Sequence, residues 1–431
     1  MSIELSFLRL AAVGLAVVMP FVGFTQPARA EQTLAEKRCW GNVRATDNER
    51  ADACNELIMR EASERSPNEL LLALYLTLRA QALAARRDCD GAIADYNEAI
   101  RLRENWLRST GKTDEFPFNI EAYHAGRAGV WSRCKREFDK AIADFNETIR
   151  QAEVNWPKFN RENPKSAMLD RRYMYYLDRG TAWFDAMDFD RAILDFDESL
   201  RLVPKGESYN KRAAGIVNNR AHASRRKGSY DQAIADFGRA IGWDPGSSRY
   251  YSGRGDIWRL KGDLTRALAD QDKAIALGAK NEEALSYTRR GDTYRYRGDF
   301  TRALADYEKA LSYDRKYAWA LTGRGLTYER MGNIAQARAE FQKAIASSGD
   351  YEPLDAARAR LAALESGEAP PVIPVVPAKA ANVNSLPTPV IAAPILAKPL
   401  APERLQTTAV RQGRRVALII GNSAYREAPA L

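Results

Sequence analysis

The amino-acid sequence predicts an all-α fold in which pairs of helices repeat along the chain. A phrase of eleven or twelve residues returns seven times, from 90–100 (DGAIADYNEAI) to 334–345 (IAQARAEFQKAI). Its apolar positions follow the period of a helix and form one stripe. A second stretch with helical character precedes each phrase, and in the later copies a short turn containing Gly joins the two. Repetition of such a unit predicts an α-solenoid.

One alanine marks each copy of the phrase, and the distances between these alanines describe the repeat. They are Ala92, Ala141, Ala192, Ala233, Ala267, Ala303 and Ala337, which gives steps of 49, 51, 41, 34, 36 and 34 residues. A side chain this small lets two helices approach closely, and a bulky residue four positions later is expected to fill the space between them. The two long steps predict insertions within 104–120 and 154–171, as longer helices or added loops.

The turns between the paired helices have the residues that helix ends prefer. They read KGSY, KGDL, RGDF and MGNI in the later copies. Gly suits the left-handed position just after a helix, and the Ser, Asp or Asn that follows suits the N-cap of the next helix. Pro204 and Pro245 lie where the second helix of a pair is expected to end.

Period, small positions, turn chemistry and terminal prolines together resemble the tetratricopeptide repeat family. The resemblance implies two antiparallel helices in each unit of 34 residues, stacked into a right-handed superhelix. It covers residues 69–366 as a solenoid of about seven repeats. Residues 31–68 are expected to form an N-terminal capping segment whose last helix resembles the second helix of a repeat.

Four cysteines lie in the first third of the chain, and their even number favours two disulfides in an oxidising compartment. Sequence order suggests the pairs Cys39–Cys54 and Cys89–Cys134, although four cysteines allow three pairings. Free buried thiols are the alternative. The spacings match no zinc site, and no catalytic or metal-binding cysteine is expected.

The first thirty residues have the layout of a secretory signal peptide. An apolar run at 10–24 follows Arg9 and precedes Ala28-Arg29-Ala30. Cleavage is predicted after Ala30, which would place the mature protein in the periplasm or outside the cell. The alternative is an uncleaved anchor, but the run is shorter than the roughly twenty residues that a membrane span needs. No membrane association is expected after cleavage.

The net charge of +9 permits anionic partners. Lys and Arg alternate with Asp and Glu and form no single basic block, so nucleic acid is not a predicted partner. No phosphate-binding loop, metal motif or nucleophile motif is present, and no cofactor or catalytic residue is predicted. The sequence gives no basis for predicting the oligomeric state.

The first helix of each repeat is expected to line a concave groove. In the tetratricopeptide repeat family this groove binds extended peptides or partner helices, so the resemblance implies protein or peptide partners. Arg225, Arg259 and Arg295 form a strip that could bind carboxylates. The alternative is a solvated wall neutralised by Asp256 and Asp292. The expected groove residues are Asn218, His222, Arg225, Arg249, Ser252, Asp256, Arg259, Thr288, Asp292, Arg295, Trp319 and Thr322.

Residues 367–413 are rich in proline and predict a disordered linker. In residues 414–431, a basic residue precedes an aliphatic run that predicts a β-strand ending at Gly-Asn. This stretch resembles the start of a caspase-like, metacaspase-type peptidase domain, although a chance β-prone tail is the alternative. In that family the catalytic His and Cys lie downstream of this strand, beyond the given sequence. The residues concerned are Val416, Ala417, Leu418, Ile419, Ile420, Gly421 and Asn422.

Three functions follow from these patterns. The first is an exported, non-catalytic scaffold or adaptor that binds protein or peptide partners in its groove. The second is the N-terminal regulatory or targeting part of a caspase-like cysteine peptidase whose catalytic domain is not in this sequence. The third is a structural envelope protein with no discrete ligand.

Overall fold

A computed structural model describes residues 33–111, 120–162, 170–278, 283–347 and 352–366. Within these ranges the regular secondary structure is helical throughout, as the sequence predicts. The predicted signal peptide, linker and terminal β-strand lie outside the described residues. The helices are α1 (Leu34–Cys39), α2 (Asp47–Ala62), α3 (Glu69–Ala85), α4 (Cys89–Thr110), α5 (Ile120–Val130), α6 (Phe138–Glu162), α7 (Arg172–Asp185), α8 (Phe189–Leu202), α9 (Glu207–Arg226), α10 (Tyr230–Trp243), α11 (Ser248–Leu260), α12 (Leu264–Leu277), α13 (Glu283–Arg297), α14 (Phe300–Tyr313), α15 (Ala318–Arg330), α16 (Ile334–Ala346) and α17 (Glu352–Ser366).

Helices α3 to α16 form seven successive pairs, which we number repeats one to seven. Each helix packs mainly against its partner, and the second helix of a pair also packs against the first helix of the next pair. This nearest-neighbour packing is the arrangement of a solenoid. The predicted insertions are accommodated in part by long second helices, because α4 has 22 residues and α6 has 25.

The turns have the predicted backbone conformation. Gly228, Gly262, Gly298 and Gly332 all have φ between 77° and 84°, which is the left-handed region that glycine enters without steric cost. Asp263 and Asp299 cap α12 and α14 with their side chains, while Ser229 and Asn333 stand at the N-cap without a side-chain bond. The first three repeats lack the glycine, so Arg87, Arg136 and Met187 take up positive φ there.

The core is built from the alanines that mark the repeats, together with the bulky residue four positions later. All seven alanines are fully buried. In six repeats the bulky residue is a buried aromatic, and in the fifth repeat it is Gln271. Five of the six aromatics, all but Phe145, fit against at least one glycine of a first helix. Tyr307, for example, lies between Gly291 of its own repeat and Gly323 of the next one.

A buried ion pair joins the two helices of every repeat. An arginine on the first helix directs Nε and one terminal nitrogen at a buried carboxylate on the second helix, at 2.5–2.9 Å. In the first six repeats the two nitrogens meet the two oxygens of an aspartate, which is a bidentate geometry. The pairs are Arg79–Asp95, Arg127–Asp144, Arg179–Asp195, Arg220–Asp236, Arg254–Asp270, Arg290–Asp306 and Arg324–Glu340. We call these seven pairs the ion-pair ladder.

The same arginines also reach back to the preceding helix pair. Nη1 of Arg127 donates to Asn97 at 2.6 Å, and Nη1 of Arg179 donates to Asn146 at 2.8 Å. Arg290 contacts Asp272 in the same way at 2.8 Å. One guanidinium can therefore join three helices: its own, its partner and the second helix of the repeat before it.

One extra residue in the second repeat is absorbed by a short π-helix. The ladder partners are sixteen residues apart in the other repeats and seventeen apart between Arg127 and Asp144. The chain widens into a π-helix at Trp131–Lys135, directly after α5. A π-turn accommodates one additional residue, so Arg127 and Asp144 still meet.

The two ends of the solenoid continue its pattern. Asn55 on α2 accepts a bond from Arg79 at 2.6 Å, so α2 acts as the second helix of a preceding unit, as expected for the capping segment. At the other end, Leu354 and Ala357 of α17 are fully buried in the same cluster as α15 and α16. Helix α17 thus takes the place of the first helix of a further repeat.

We expect the Arg290→Ala variant to lose about 3 kcal/mol of stability at pH 7, because it leaves Asp306 buried without its cation. Burial already raises the pKa of Asp306 in the presence of Arg290, and losing Arg290 would raise this pKa further. A carboxyl whose folded pKa exceeds its unfolded pKa binds protons on folding, so the loss should shrink as the pH falls toward 5.

Urea denaturation followed by circular dichroism at pH 7 and pH 5 measures this effect. Arg201→Ala is the control, because Arg201 is exposed and its ion pair among the described residues is with Glu198, one turn away. Removing such a pair should cost less than about 1 kcal/mol. Equal losses in the two variants would contradict a structural role for the ladder.

Gly323→Ala should destabilise the protein by about 1–3 kcal/mol, because its Cβ would lie 2.6 Å from the ring of Tyr307. Gly215→Ala is the matched change in α9, where a Cβ meets nothing within 4 Å. There we expect a gain of about 0.5–1 kcal/mol from the better helix former. Thermal melts of both variants test the pair, and shifts in the same direction would be inconsistent with close packing at Gly323.

Candidate functional site

The residues predicted to line the groove lie on four consecutive first helices, α9, α11, α13 and α15. They differ in exposure. Six of them are buried, so they belong to the interior of the solenoid more than to an open surface: Asn218, Ser252, Asp256, Thr288, Arg295 and Thr322. Trp319 is half-buried near the start of α15. The charged residues further along α9, α11 and α13 form one connected group.

Asp256 joins two of the predicted arginines. Its Oδ2 is 3.4 Å from Nη1 of Arg225 on the preceding first helix, and its Oδ1 is 2.6 Å from Nη2 of Arg259 one turn along α11. Both cations therefore share one carboxylate, which is almost buried. In the ion-pair ladder, by contrast, each arginine pairs with a different carboxylate.

Tyr296 connects these residues to the next repeat. The guanidinium carbons of Arg259 and Arg295 each lie 4.9 Å from the centre of its ring. Such cation–π contacts hold a guanidinium over an aromatic face without neutralising its charge. Arg295 also contacts Asp292 at 3.1 Å, and the hydroxyl of Tyr307 donates to Asp292 at 2.7 Å. Tyr296 is not among the groove residues predicted from the sequence.

Arg289 is a further member that sequence reasoning missed. It stands one position before the ladder residue Arg290, where the fifth and seventh repeats have Gly253 and Gly323. Its Nη1 donates to Ser252 Oγ at 2.8 Å. The signal was present in the sequence, because the aromatic that would pack against this position is replaced by Gln271 in the repeat before. The amide atoms of Gln271 are buried and have no hydrogen-bond partner among the described residues.

We call the group formed by Arg225, Asp256, Arg259, Arg289, Asp292, Arg295 and Tyr296 the groove network. Burial acts to raise the pKa of Asp256, but Arg259, Arg289 and Arg225 outweigh it and lower this pKa to about 2. His222 is adjacent and packs edge-on against Phe237. Burial, together with Arg225, Arg289 and Arg249, lowers the pKa of His222 to about 3, so its ring is neutral at ordinary pH. The groove network thus has four arginines and two aspartates.

The arginine strip ends at the seventh repeat. Glu329 occupies on α15 the position that Arg295 occupies on α13. It is buried and pairs with Arg360 of α17. Arg360 of α17 therefore neutralises the charge of Glu329. The arginines of the predicted strip lie on repeats four to six.

Both disulfides suggested by sequence order are present in the structure. Cys39 and Cys54 link α1 to α2, with Cα atoms 4.9 Å apart. Cys89 and Cys134 link the start of α4 to the π-helix of the second repeat, with Cα atoms 5.9 Å apart. The expectation of two structural disulfides is confirmed, and all four cysteines are paired.

The two histidines and the acidic side chains of the described residues form no metal site. It contains no group of three or more His, Cys, Asp or Glu side chains that could hold a metal ion. His124 contacts the ladder residue Asp144 at 3.4 Å and so takes part in core packing. None of the described helices is long and apolar enough to cross a membrane. The caspase-like strand, from Val416 to Asn422, lies outside the described residues.

Comparison with protein-family models finds tetratricopeptide repeats in the second half of the solenoid. Residues 218–282 and 320–351 match models described as tetratricopeptide repeat, and residues 291–332 match a model described as TPR repeat. The chain therefore contains tetratricopeptide repeats. No protein in the curated set matches the sequence. These comparisons do not show the predicted resemblance between residues 414–431 and the caspase-like family.

Solved structures with a similar fold include several repeat proteins. A tetratricopeptide repeat protein from Parabacteroides merdae is 21% identical, with 65% of this chain and 92% of that chain covered and a TM-score of 0.44. Yeast Tom70 is 18% identical, with coverage of 84% and 72% and a TM-score of 0.47. YrrB, described as a TPR protein with an unusual peptide-binding site, is 20% identical, with coverage of 47% and 96% and a TM-score of 0.33. Likeness at this level says nothing about function.

Removing the Cys89–Cys134 disulfide should cost more stability than removing Cys39–Cys54, because the first link spans 45 residues and the second spans 15. Chain-entropy estimates are about 4 and about 3 kcal/mol. We expect the Cys89→Ser/Cys134→Ser double variant to have the lower denaturation midpoint in urea without reductant. The matched double variant at the other pair is the control. A lower denaturation midpoint in the Cys39→Ser/Cys54→Ser variant would show that loop length does not determine how much each disulfide stabilises the protein.

Proposed function

We propose that this protein is an exported scaffold that binds segments of partner proteins along the wall formed by α9, α11 and α13. One observation carries the proposal: the groove network is a charged, aromatic-containing group that the packing of the repeats does not require. The ion-pair ladder already joins the two helices of each pair. Polar and aromatic side chains gathered on one wall are what a binding surface needs.

Export is part of this proposal. The signal-peptide layout of residues 1–30 and the two disulfides support it, since disulfides persist in oxidising compartments. The proposed role involves no catalysis by the given sequence and no cofactor, nucleic acid or membrane partner. A scaffold of this kind would act through the proteins that it brings together.

Selection from a display library of random peptides against the purified mature chain tests the proposal. Selected peptides should bind saturably, and Tyr296→Ala should weaken them by about tenfold, since an aromatic at the centre of an interface is a frequent hot spot. Tyr313→Ala is the control, because Tyr313 is exposed on α14, a second helix outside the wall. The absence of saturable binding, or equal loss in the two variants, would rule out a binding wall at this place and favour the structural envelope protein.

A second candidate function rests on residues 414–431, which resemble the start of a caspase-like domain. Here the solenoid would be the regulatory or targeting part of a cysteine peptidase. Sequencing the locus beyond the codon for Leu431 separates the two functions. A continuation, in frame or shifted by one base, with a His and a Cys on successive predicted strands would support the peptidase. Unrelated sequence in every frame would contradict the peptidase and leave the scaffold as the proposed function.

A further inference from the structure

The two disulfides differ in how open they are to a reactant from outside the protein. Cys39 and Cys54 are fully buried among side chains of α1, α2 and α3. Cys89 and Cys134 are only half-buried, at the edge of the cluster between the first and second repeats. A disulfide exchanges when a thiolate reaches one of its sulfurs, so access is the first condition for reaction. In the folded protein the Cys89–Cys134 disulfide meets this condition better than the buried one.

The charge around the two disulfides also differs. Five basic and three acidic residues lie within three positions of the half-buried cysteines, whereas two basic and three acidic residues lie that close to the buried cysteines. Three of the five basic residues, Arg133, Lys135 and Arg136, lie on either side of Cys134 and are exposed. A positive field favours the approach of an anionic thiolate. We therefore expect a reactant to attack the sulfur of Cys134.

The half-buried disulfide fastens an irregular part of the solenoid. Cys134 lies within the π-helix Trp131–Lys135, which absorbs the extra residue of the second repeat. The π-helix ends at Arg136, whose φ of 58° costs a residue with a side chain some free energy. This segment keeps Arg127 opposite Asp144 in the ion-pair ladder. The disulfide therefore holds a backbone conformation that local preferences do not favour.

An ion pair crosses the same joint between the first and second repeats. Nζ of Lys135 is 2.8 Å from Oδ1 of Asp90, which is the second residue of α4. Later joints have the equivalent pairs without a disulfide, Lys227–Asp190 and Lys261–Asp231. There the turns contain glycine, and no π-helix is present among the described residues. Breaking the disulfide should therefore loosen the π-helix while the two repeats stay together.

We propose that the Cys89–Cys134 disulfide is a redox-sensitive link that external dithiols reduce, while the Cys39–Cys54 disulfide stays oxidised. A thiolate of the dithiol bonds to Sγ of Cys134, the bond between the two cysteine sulfurs breaks, and Cys89 leaves as a thiolate that takes up a proton. The second thiol of the dithiol loses its proton and displaces Cys134, which is protonated in turn. The protein gains two electrons and two protons, and the dithiol becomes a disulfide. An oxidised dithiol reverses these steps.

Timed reduction of the mature chain with dithiothreitol at pH 7 tests the reactivity. Free thiols are alkylated at each time point, and peptide mass spectrometry gives a rate for each disulfide. The Cys89–Cys134 disulfide should be reduced at least about tenfold faster than the Cys39–Cys54 disulfide. In urea above the denaturation midpoint this difference should largely disappear, because unfolding exposes both pairs. Equal rates in the folded protein, faster reduction of the buried pair, or a difference that urea leaves unchanged would overturn the proposal.

Hydrogen exchange of the selectively reduced protein tests the structural response. Amide exchange at residues 127–136 should rise at least about tenfold, while α13 to α16 change little, because each repeat contacts only its neighbours. The Cys89→Ser/Cys134→Ser variant should match the reduced protein. Arg136→Gly should make the rise smaller, because glycine adopts the positive φ without steric cost. Unchanged exchange at residues 127–136, or an equal rise along the whole solenoid, would overturn the proposal.

Discussion

The bidentate ion pair inside each repeat is the constraint on which the solenoid depends. A buried carboxylate is costly unless a partner with matching geometry meets it, and the guanidinium fork supplies that geometry. Such pairs contribute less to net stability than to the choice of one register, since a helix that slid by a residue would leave the carboxylate unpaired. The second repeat illustrates the constraint, because its chain forms a π-helix at Trp131–Lys135 to absorb an extra residue while Arg127 still meets Asp144.

Contacts between glycines and aromatic rings are the second feature that recurs along the solenoid. One such contact is absent where Gln271 and Arg289 replace the aromatic and the glycine, and this position adjoins the groove network. Phe237 and Tyr307 each pack against a glycine of the following repeat, Gly253 and Gly323. Between them, Gln271 and Arg289 replace the aromatic and the glycine. The exchange leaves buried amide atoms without partners and adds a cation near Asp256. Natural proteins break their own packing rules mainly where function requires it.

The sequence predicts most of the features that recur along the solenoid. Helix pairs, marking alanines, glycine turns and prolines just after α8 and α10 all follow from local periodicity, and the two disulfides follow from cysteine order. The ion-pair ladder was not predicted, although the dipeptides Arg-Gly and Ala-Asp recur in the sequence. Pairing between residues sixteen positions apart depends on how the two helices face each other, which the sequence does not show directly. Arg289 and Tyr296 were missed because each departs from the repeat. Asn218, Ser252, Thr288 and Thr322 were expected on the groove surface, but their side chains are buried.

The first helices of repeats four to six carry two sets of arginines with different surroundings. Both sets lie on the same first helices, five residues apart in Arg220 and Arg225, in Arg254 and Arg259, and in Arg290 and Arg295. In the first set each guanidinium pairs with a different carboxylate of the second helix. In the second set the carboxylates are shared, and the guanidiniums rest partly on Tyr296. The first set therefore fixes the register of each helix pair, whereas the second set links consecutive first helices through a shared carboxylate and one aromatic ring.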